Sequence, residues 1–230
     1  MEKLVVLSGA GISAESGIKT FRDSDGLWEN YPVEEVATAD SWYSYGRKAL
    51  MLDFYNQRRR QLRDAAPNLA HKTVADLEKY FDVTVATQNI DNLHERAGST
   101  NVIHLHGELT KARGEYSDYY TAQDIGYQDI LIGSKTAKGE QLRPHIVWFG
   151  EAVPELDKAA RAVGNADILV IVGTSLAVYP AAGLVHYTKT GCRVYLIDPK
   201  DVSSSVRFTH IKEKATVGMQ QLRNQLIKTI

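Results

Sequence analysis

A glycine-rich stretch, Gly9-Ala10-Gly11-Ile12-Ser13-Ala14, stands directly after the apolar run Leu4–Leu7. Its spacing is G-x-G-x-x-A. In such a loop the first glycine permits a tight turn and the second lets the backbone approach a pyrophosphate. The small third residue lets a helix pack on the sheet. The N-terminus of that helix would face the phosphates with unbonded N–H groups. A dinucleotide is the ligand this pattern points to. A hydride-transfer fold would end a second strand in an acid roughly 20 residues on. Here the segment Lys19-Thr20-Phe21-Arg22-Asp23-Ser24-Asp25-Gly26-Leu27-Trp28 follows instead. It reads as a polar and aromatic loop, with Phe21 and Trp28 suited to shield a reactive ring from water. Proton transfer near neutrality calls for an imidazole. His104 and His106 follow another apolar run, and strand alternation would put both on one face, so spacing does not choose between them.

These residues need a scaffold, and the apolar pattern supplies one. Leu4–Leu7, Val83–Ala86, Val102–Leu105, Ile146–Phe149, Ile168–Val172 and Val194–Ile197 read as strands. Several lack alternation, as strands covered on both faces do. Helices are expected at Lys48–Ala65, His71–Tyr80, Glu155–Val163, Ala181–Lys189 and Met219–Lys228. The alternation predicts an α/β fold: a Rossmann-like parallel sheet with helices on both faces. Two inserts, about 18–47 and 111–141, break the rhythm and are expected to form a small second lobe within one catalytic domain spanning 1–230.

Composition sets outer bounds. The chain has 230 residues, 24% charged, with a net charge of −1. No basic field marks a nucleic-acid or membrane partner. The apolar N-terminal run is too short for a signal segment, and no stretch approaches the roughly 18 apolar residues of a membrane span. The expectation is a cytoplasmic monomer. The single cysteine, Cys192, allows neither an internal disulfide nor a thiolate metal cage.

Ordered motifs then make a family resemblance specific. The loop Gly9–Ser13 through Phe21-Arg22 is followed by Thr87-Gln88-Asn89-Ile90-Asp91-Asn92-Leu93-His94, by His104-Leu105-His106-Gly107, by Val147-Trp148-Phe149-Gly150-Glu151 and by Gly173-Thr174-Ser175. In this order they resemble the sirtuins over nearly the whole chain, and within them the bacterial, desuccinylase-like deacylases. The resemblance implies NAD as cofactor and acylated lysine of proteins or peptides as substrate. The C1′–nicotinamide bond would break with oxocarbenium character as the acyl oxygen attacks. A ribose hydroxyl would then lose a proton, and the products would be nicotinamide, free lysine and O-acyl-ADP-ribose.

The implied roles follow residue by residue. Gly9, Ala10, Gly11 and Ala14 lie under the phosphates with Arg22 nearby, and Phe21 and Trp28 cover the nicotinamide side. Gln88 contacts the nicotinamide ribose. Asn89, Ile90 and Asp91 form the nicotinamide pocket, with Asn89 counted as catalytic. His106, immediately before glycine, is the general base. Gly173, Thr174 and Ser175 approach the adenosine half, and Ala215 stands near the adenine. Phe149, Gly150 and Val153 line the acyl-lysine channel and pair with the peptide.

The acyl group has its own signal. Tyr55 and Arg58 are three apart and share a helix face, while Arg59 and Arg60 project elsewhere. A guanidinium can grip a carboxylate in bidentate fashion, and a phenol adds one hydrogen bond. In the family, Tyr-x-x-Arg marks enzymes that accept succinyl, malonyl or glutaryl groups, and Ala37 resembles the small residue that widens their pocket. The bland alternative is a solvated basic helix face.

Two features depart from the family. Sirtuins usually hold a structural zinc with four cysteines, but the interval 111–141 contains no cysteine and no histidine. No zinc is expected, and a cluster of Tyr116, Tyr119, Tyr120 and Tyr127 is a candidate replacement. Asp198 stands where the family commonly has asparagine. It would bond the ribose hydroxyls and favour NAD over NADP, or else only initiate the Asp-Pro turn. An NAD glycohydrolase, an ADP-ribosyltransferase and a non-catalytic sensor remain open alternatives at this level.

Overall fold

The computed structural model describes residues 1–18, 32–202 and 205–228. Strands β1 (Lys3–Ser8), β2 (Asp82–Thr87), β3 (Val102–His104), β7 (Ile168–Val172), β8 (Arg193–Ile197) and β9 (Thr209–Ile211) form one sheet in the order β3-β2-β1-β7-β8-β9. Every pair is parallel. Strand β1 lies at the centre, with Val6 opposite Val85 on one side and Val170 on the other.

The side-chain period of two divides the apolar strands between two cores. Leu4, Val6, Val83, Val85, Ile168 and Val170 pack with α5 (Leu69–Leu77) and α8 (Ala215–Ile227). Val5, Leu7, Ala86, Leu169, Ile171 and Leu196 pack with α7 (Leu156–Asn165) and a 3-10 helix over Ala181–Tyr187. Helices thus cover both faces, which is why these strands read as unbroken apolar runs. The 3-10 helix replaces the α-helix expected at Ala181–Lys189. Ala181 and Leu184, three apart, both face the sheet, and a three-residue turn aligns them.

A second, antiparallel sheet has the order β5-β4-β6, from β4 (Gly107–Gly114), β5 (Gln123–Asp124) and β6 (Leu142–Ile146). The short helices α1 (Gly11–Ala14), α2 (Val33–Val36), α3 (Ala39–Tyr43) and α6 (Leu93–Ala97) and the long α4 (Arg47–Asp64) complete the α-helices among the described residues. A third core lies between this sheet and α4, built from Val36, Trp42, Met51, Phe54, Tyr55, Leu109, Ile130 and Trp148. The strand expected at Ile146–Phe149 keeps only Ile146. Beyond it the chain turns away, buries Trp148 in the third core and leaves Phe149 exposed.

The tyrosine staple is also corrected. Tyr116 and Tyr120 are exposed, Tyr119 lies tilted against His145 with ring centroids 4.3 Å apart, and Tyr127 packs against the third core. Polar contacts tie this part of the molecule together. Glu115 accepts from Trp42 Nε1 at 3.1 Å and pairs with Lys48, and Asn56 exchanges two 2.9 Å hydrogen bonds with the backbone of Ile130. Arg59 donates to the Leu109 carbonyl at 2.8 Å and to Asn56 Oδ1 at 2.7 Å. No helix among the described residues is long and apolar enough to cross a membrane.

Candidate active site

Strand order reverses between β1 and β7, and the loops leaving the C-terminal ends at such a reversal are the usual ligand position in open parallel sheets. The two loops meet backbone to backbone. Gly9 N–H donates to the Val172 carbonyl at 3.0 Å, and Gly11 N–H donates to the Gly173 carbonyl at 2.9 Å. Gly173 has φ +64°, and a β-carbon there would lie 2.3 Å from Ile12 N. One added at Gly9 or Gly11 would lie 2.7 or 2.6 Å from the Gly173–Thr174 segment. The glycines are therefore required by protein packing. One expectation fails here. The N–H groups of Gly11, Ile12 and Ser13 bond to the carbonyls of Gly173, Gly9 and Ala10 instead of standing free toward a ligand. Beyond Gly173, Ser175 is exposed and Leu176 holds φ +53°, an uncommon conformation for a branched side chain.

Beside these loops lies a buried polar floor. Asn68 N–H donates to His71 Nδ1, so His71 is neutral there and its Nε2–H points to Ser13 Oγ at 3.4 Å. Ser13 Oγ also accepts from Asn89 Nδ2 at 3.2 Å and donates to Asp91 Oδ2 at 2.9 Å. Asn89 Nδ2 further donates to the Gly9 carbonyl at 3.1 Å, and Leu93 N–H donates to Asp91 Oδ1 at 3.1 Å. Ser8 Oγ donates to Thr87 Oγ1 at 2.9 Å and lies 3.0 Å from His94 Nε2. Burial pushes the Asp91 carboxyl above the usual range and the His71 imidazole down to about 4. Gln88 Nε2 donates to Thr174 Oγ1 at 3.1 Å, a bridge between the ends of β2 and β7.

The two histidines of the His-Leu-His motif separate. Strand β3 stops at His104 and the next two residues turn, so alternation does not carry through to His106. His104 is buried, with Nε2 2.7 Å from Glu95 Oε1 and Nδ1 3.3 Å from the Asn89 carbonyl. Burial opposes its charge, but the Glu95 hydrogen bond and carboxylate outweigh it and hold the imidazole above its ordinary value. His106 is half-buried, and its Nδ1 lies 2.9 Å from the Gln88 carbonyl. A carbonyl only accepts, so Nδ1 carries the proton and Nε2 keeps its lone pair. Burial holds His106 below its ordinary value, against the Gln88 carbonyl. Gly107 explains why glycine follows: its φ is +79°, and a β-carbon would lie 2.1 Å from the His145 carbonyl.

On the other side stands α4. Tyr55 is buried and its oxygen accepts from Trp148 Nε1 at 3.0 Å. Burial raises its phenol pKa, so it stays protonated. Arg58, one turn on, sets its guanidinium 5.3 Å from the Phe54 ring centroid. Arg59 is fully buried and Arg60 pairs with Asp129, so the run is not one solvated basic face. The segment after β6 pairs with the α2–α3 connection. Phe149 N–H donates to the Ala37 carbonyl at 2.9 Å, and Ala39 N–H donates to the Phe149 carbonyl at 3.0 Å. Ala37 is buried and Gly150 is exposed beside this pairing, while Val153 packs against the second core.

The remaining expected positions are scattered. Phe21, Arg22 and Trp28 lie outside the described residues. Ala14 ends α1, and Ile90 packs at the edge of the third core. Asp198 follows β8 and accepts from Lys200 N–H at 2.8 Å, so one carboxylate oxygen serves the Asp-Pro turn. Ala215 opens α8 and is buried. Sequence reasoning missed the floor: Ser8, Ser13, Thr87, His71 and His94. Its signal was present in hydroxyl residues at the strand ends and in Asn68-x-x-His71, which closes a capping box. Among the described residues no group of three or more His, Cys, Asp or Glu could hold a metal ion. The interval 111–141 offers no thiolate or imidazole, so its residues do not fit a four-cysteine zinc site.

This fold and site define a dinucleotide-binding α/β protein with an imidazole held on the Gln88 carbonyl and a buried carboxamide and carboxyl at the strand ends. The family model described as Sir2 family matches residues 9–180, and the chain belongs to that family. It is 54% identical over 233 residues to an NAD-dependent protein deacylase of Bacteroides thetaiotaomicron, with 99% of each chain covered. A Sir2 homolog solved as an NAD complex superposes with TM-score 0.87 at 38% identity, covering 98% of this chain and 90% of the other. A Sir2 bound to acetylated peptide gives TM-score 0.80 at 28% identity, covering 96% and 92%.

Proposed function

We propose that this protein uses NAD to remove acyl groups from protein lysine, taking succinyl and malonyl groups as well as acetyl. It is an enzyme of the NAD-dependent protein deacylase kind. NAD, when bound, supplies an electrophilic anomeric carbon and a nicotinamide leaving group. The residues fit it: the loops after β1 and β7 meet beside a buried amide and carboxyl. Gly9, Ala10, Gly11 and Ala14 take the phosphate side, with Gly173, Thr174, Ser175, Asp198 and Ala215 toward the adenosine. Gln88, already bridged to Thr174, orients the near ribose. Asn89, Ile90 and Asp91 wall the nicotinamide pocket. Phe21, Arg22 and Trp28 are assigned to the cover.

His106 is the general base. Its Nδ1–H is fixed on the Gln88 carbonyl, which leaves Nε2 to take a ribose hydroxyl proton. His104 is unsuited to that task because the Glu95 pair already occupies it. Phe149, Gly150 and Val153 are assigned to the acyl-lysine channel, with Ala37, paired to Phe149, as the small residue of its wall.

The observation that carries the acyl preference is the buried, protonated Tyr55 hydroxyl one helical turn from Arg58, against the segment that holds Phe149. A phenol donor and a guanidinium suit a terminal carboxylate and have no partner on an acetyl group. The test is Arg58→Met assayed on succinyl and acetyl versions of one peptide. Loss of the charge-assisted contact should cost about 1.5–3 kcal/mol on the succinyl peptide, roughly 10- to 150-fold in kcat/KM, with far less on the acetyl one. Equal losses reject the acyl reading. Mass analysis separates a glycohydrolase, which releases ADP-ribose without an acyl substrate.

A further inference from the structure

The turn after β6 is gripped by an ion pair between a buried arginine and a half-buried glutamate, outside the reacting groups. Arg143 is 1% exposed, and its guanidinium forks onto Glu151 with bonds of 2.6 and 3.0 Å. Its Nη2 also donates to the Ile146 carbonyl at 2.9 Å. Glu151 Oε2 accepts from Trp148 N–H at 2.8 Å, and Glu151 N–H donates back to the Trp148 carbonyl at 3.0 Å. The four residues from Trp148 to Glu151 are thus closed on themselves and tied to β6.

The same pair seats the indole. Arg143 Cζ stands 3.4 Å from the Trp148 ring centroid, and Trp42 lies 5.2 Å away, centroid to centroid. The indole N–H reaches the Tyr55 oxygen at 3.0 Å. An indole N–H only donates, so the phenol oxygen must accept there. The phenol's own hydrogen is turned away from Trp148 and remains available to another acceptor. A Trp148 ring free to slide would release that constraint on the phenol rotor.

We propose that Arg143 and Glu151 are positioning residues for acyl-group selectivity: by fixing Trp148 they fix the direction in which Tyr55 offers its hydrogen to an acyl carboxylate. This rests on the acyl-carboxylate reading given above. It adds residues that never touch the acyl group and that act through an indole.

The experiment compares Trp148→Phe, Glu151→Gln and Tyr55→Phe on succinyl and acetyl forms of one peptide at saturating NAD. Trp148→Phe keeps a ring under Arg143 and removes the donor to Tyr55 together with the second ring of the indole. Glu151→Gln keeps an acceptor for Trp148 N–H and removes the charge that holds Arg143. Each should raise the ratio of succinyl to acetyl KM about three- to tenfold while the ratio of kcat values stays level. The double variant Tyr55→Phe/Trp148→Phe should shift the ratio no further than Tyr55→Phe alone, as expected when one residue acts through the other. Equal factors on both peptides, an effect in kcat alone, or additive shifts in the double variant overturn the inference. If Tyr55→Phe leaves the KM ratio untouched, the acyl reading fails and takes this inference with it. If Tyr55→Phe shifts the ratio and Trp148→Phe does not, the positioning role fails by itself. Should Glu151→Gln not fold, Arg143→Lys, which keeps the charge and loses the fork onto Glu151, is read in its place against the same outcomes.

Discussion

Replacing Gly173 with alanine tests whether the site depends on a backbone-to-backbone approach. The new β-carbon would stand 2.3 Å from Ile12 N, 2.6 Å from the Gly11 carbonyl carbon and 2.8 Å from Gly11 Cα. These are backbone atoms on a loop already bonded to the end of β7, so no side chain can swing aside. The residue also sits at φ +64°. The left-handed conformation costs an L-residue about 1–2 kcal/mol, and overpacking typically adds about 1–3, giving roughly 2–5 kcal/mol in all. For a domain of this size each kcal/mol moves Tm by about 2–4 °C, so a fall of roughly 4–20 °C is expected in a thermal scan. The glycine loop must retreat from β7, so NAD affinity measured by calorimetry should fall alongside. Gly164→Ala is the control. It lies inside α7, its β-carbon would meet the Tyr187 carbonyl oxygen at an ordinary 3.6 Å, and alanine should stabilise that helix by about 1 kcal/mol. A Gly173→Ala protein melting within about 2 °C of the parent and binding NAD unchanged would refute this packing argument.

Other outcomes follow from the same geometry. A base must be neutral to act, so activity falls as pH drops through its pKa. Burial holds His106 below the ordinary imidazole value of about 6.5, so the acid limb of the kcat/KM profile should lie below that pH. A limb above it, or a His106→Tyr protein with unchanged turnover, removes His106 from the role. Asn56→Ala strips two backbone partners from Ile130 and one from Arg59, all buried. It should destabilise by on the order of 3 kcal/mol, read from a denaturant midpoint, with faster amide exchange at Ile130. Purified protein should carry no stoichiometric zinc, and a chelator should leave Tm unchanged; one zinc per chain would contradict the reading of the interval 111–141.

The sequence by itself determined the parallel core and its ligand edge. Leu4–Leu7 and Ile168–Val172 are apolar at every position because both faces of the sheet are covered, and that pattern needs no coordinates to read. The glycine loop was legible for the same local reason. Its proximity to Gly173 was not, because Gly11 and Gly173 stand 162 positions apart and only strand order brings β1 beside β7. The tertiary structure also decided which N–H groups of that loop are already bonded and how the two neighbouring histidines differ. His104 meets Glu95 and His106 meets the Gln88 carbonyl because the strand stops between them, and a spacing rule assumes that it continues. The buried floor under Asn89 and Asp91, and the chain from Glu151 through Arg143 and Trp148 to Tyr55, join residues from distant segments. Periodicity reports which face a side chain takes, but a hydrogen bond depends on distance and direction between two elements, and packing sets both.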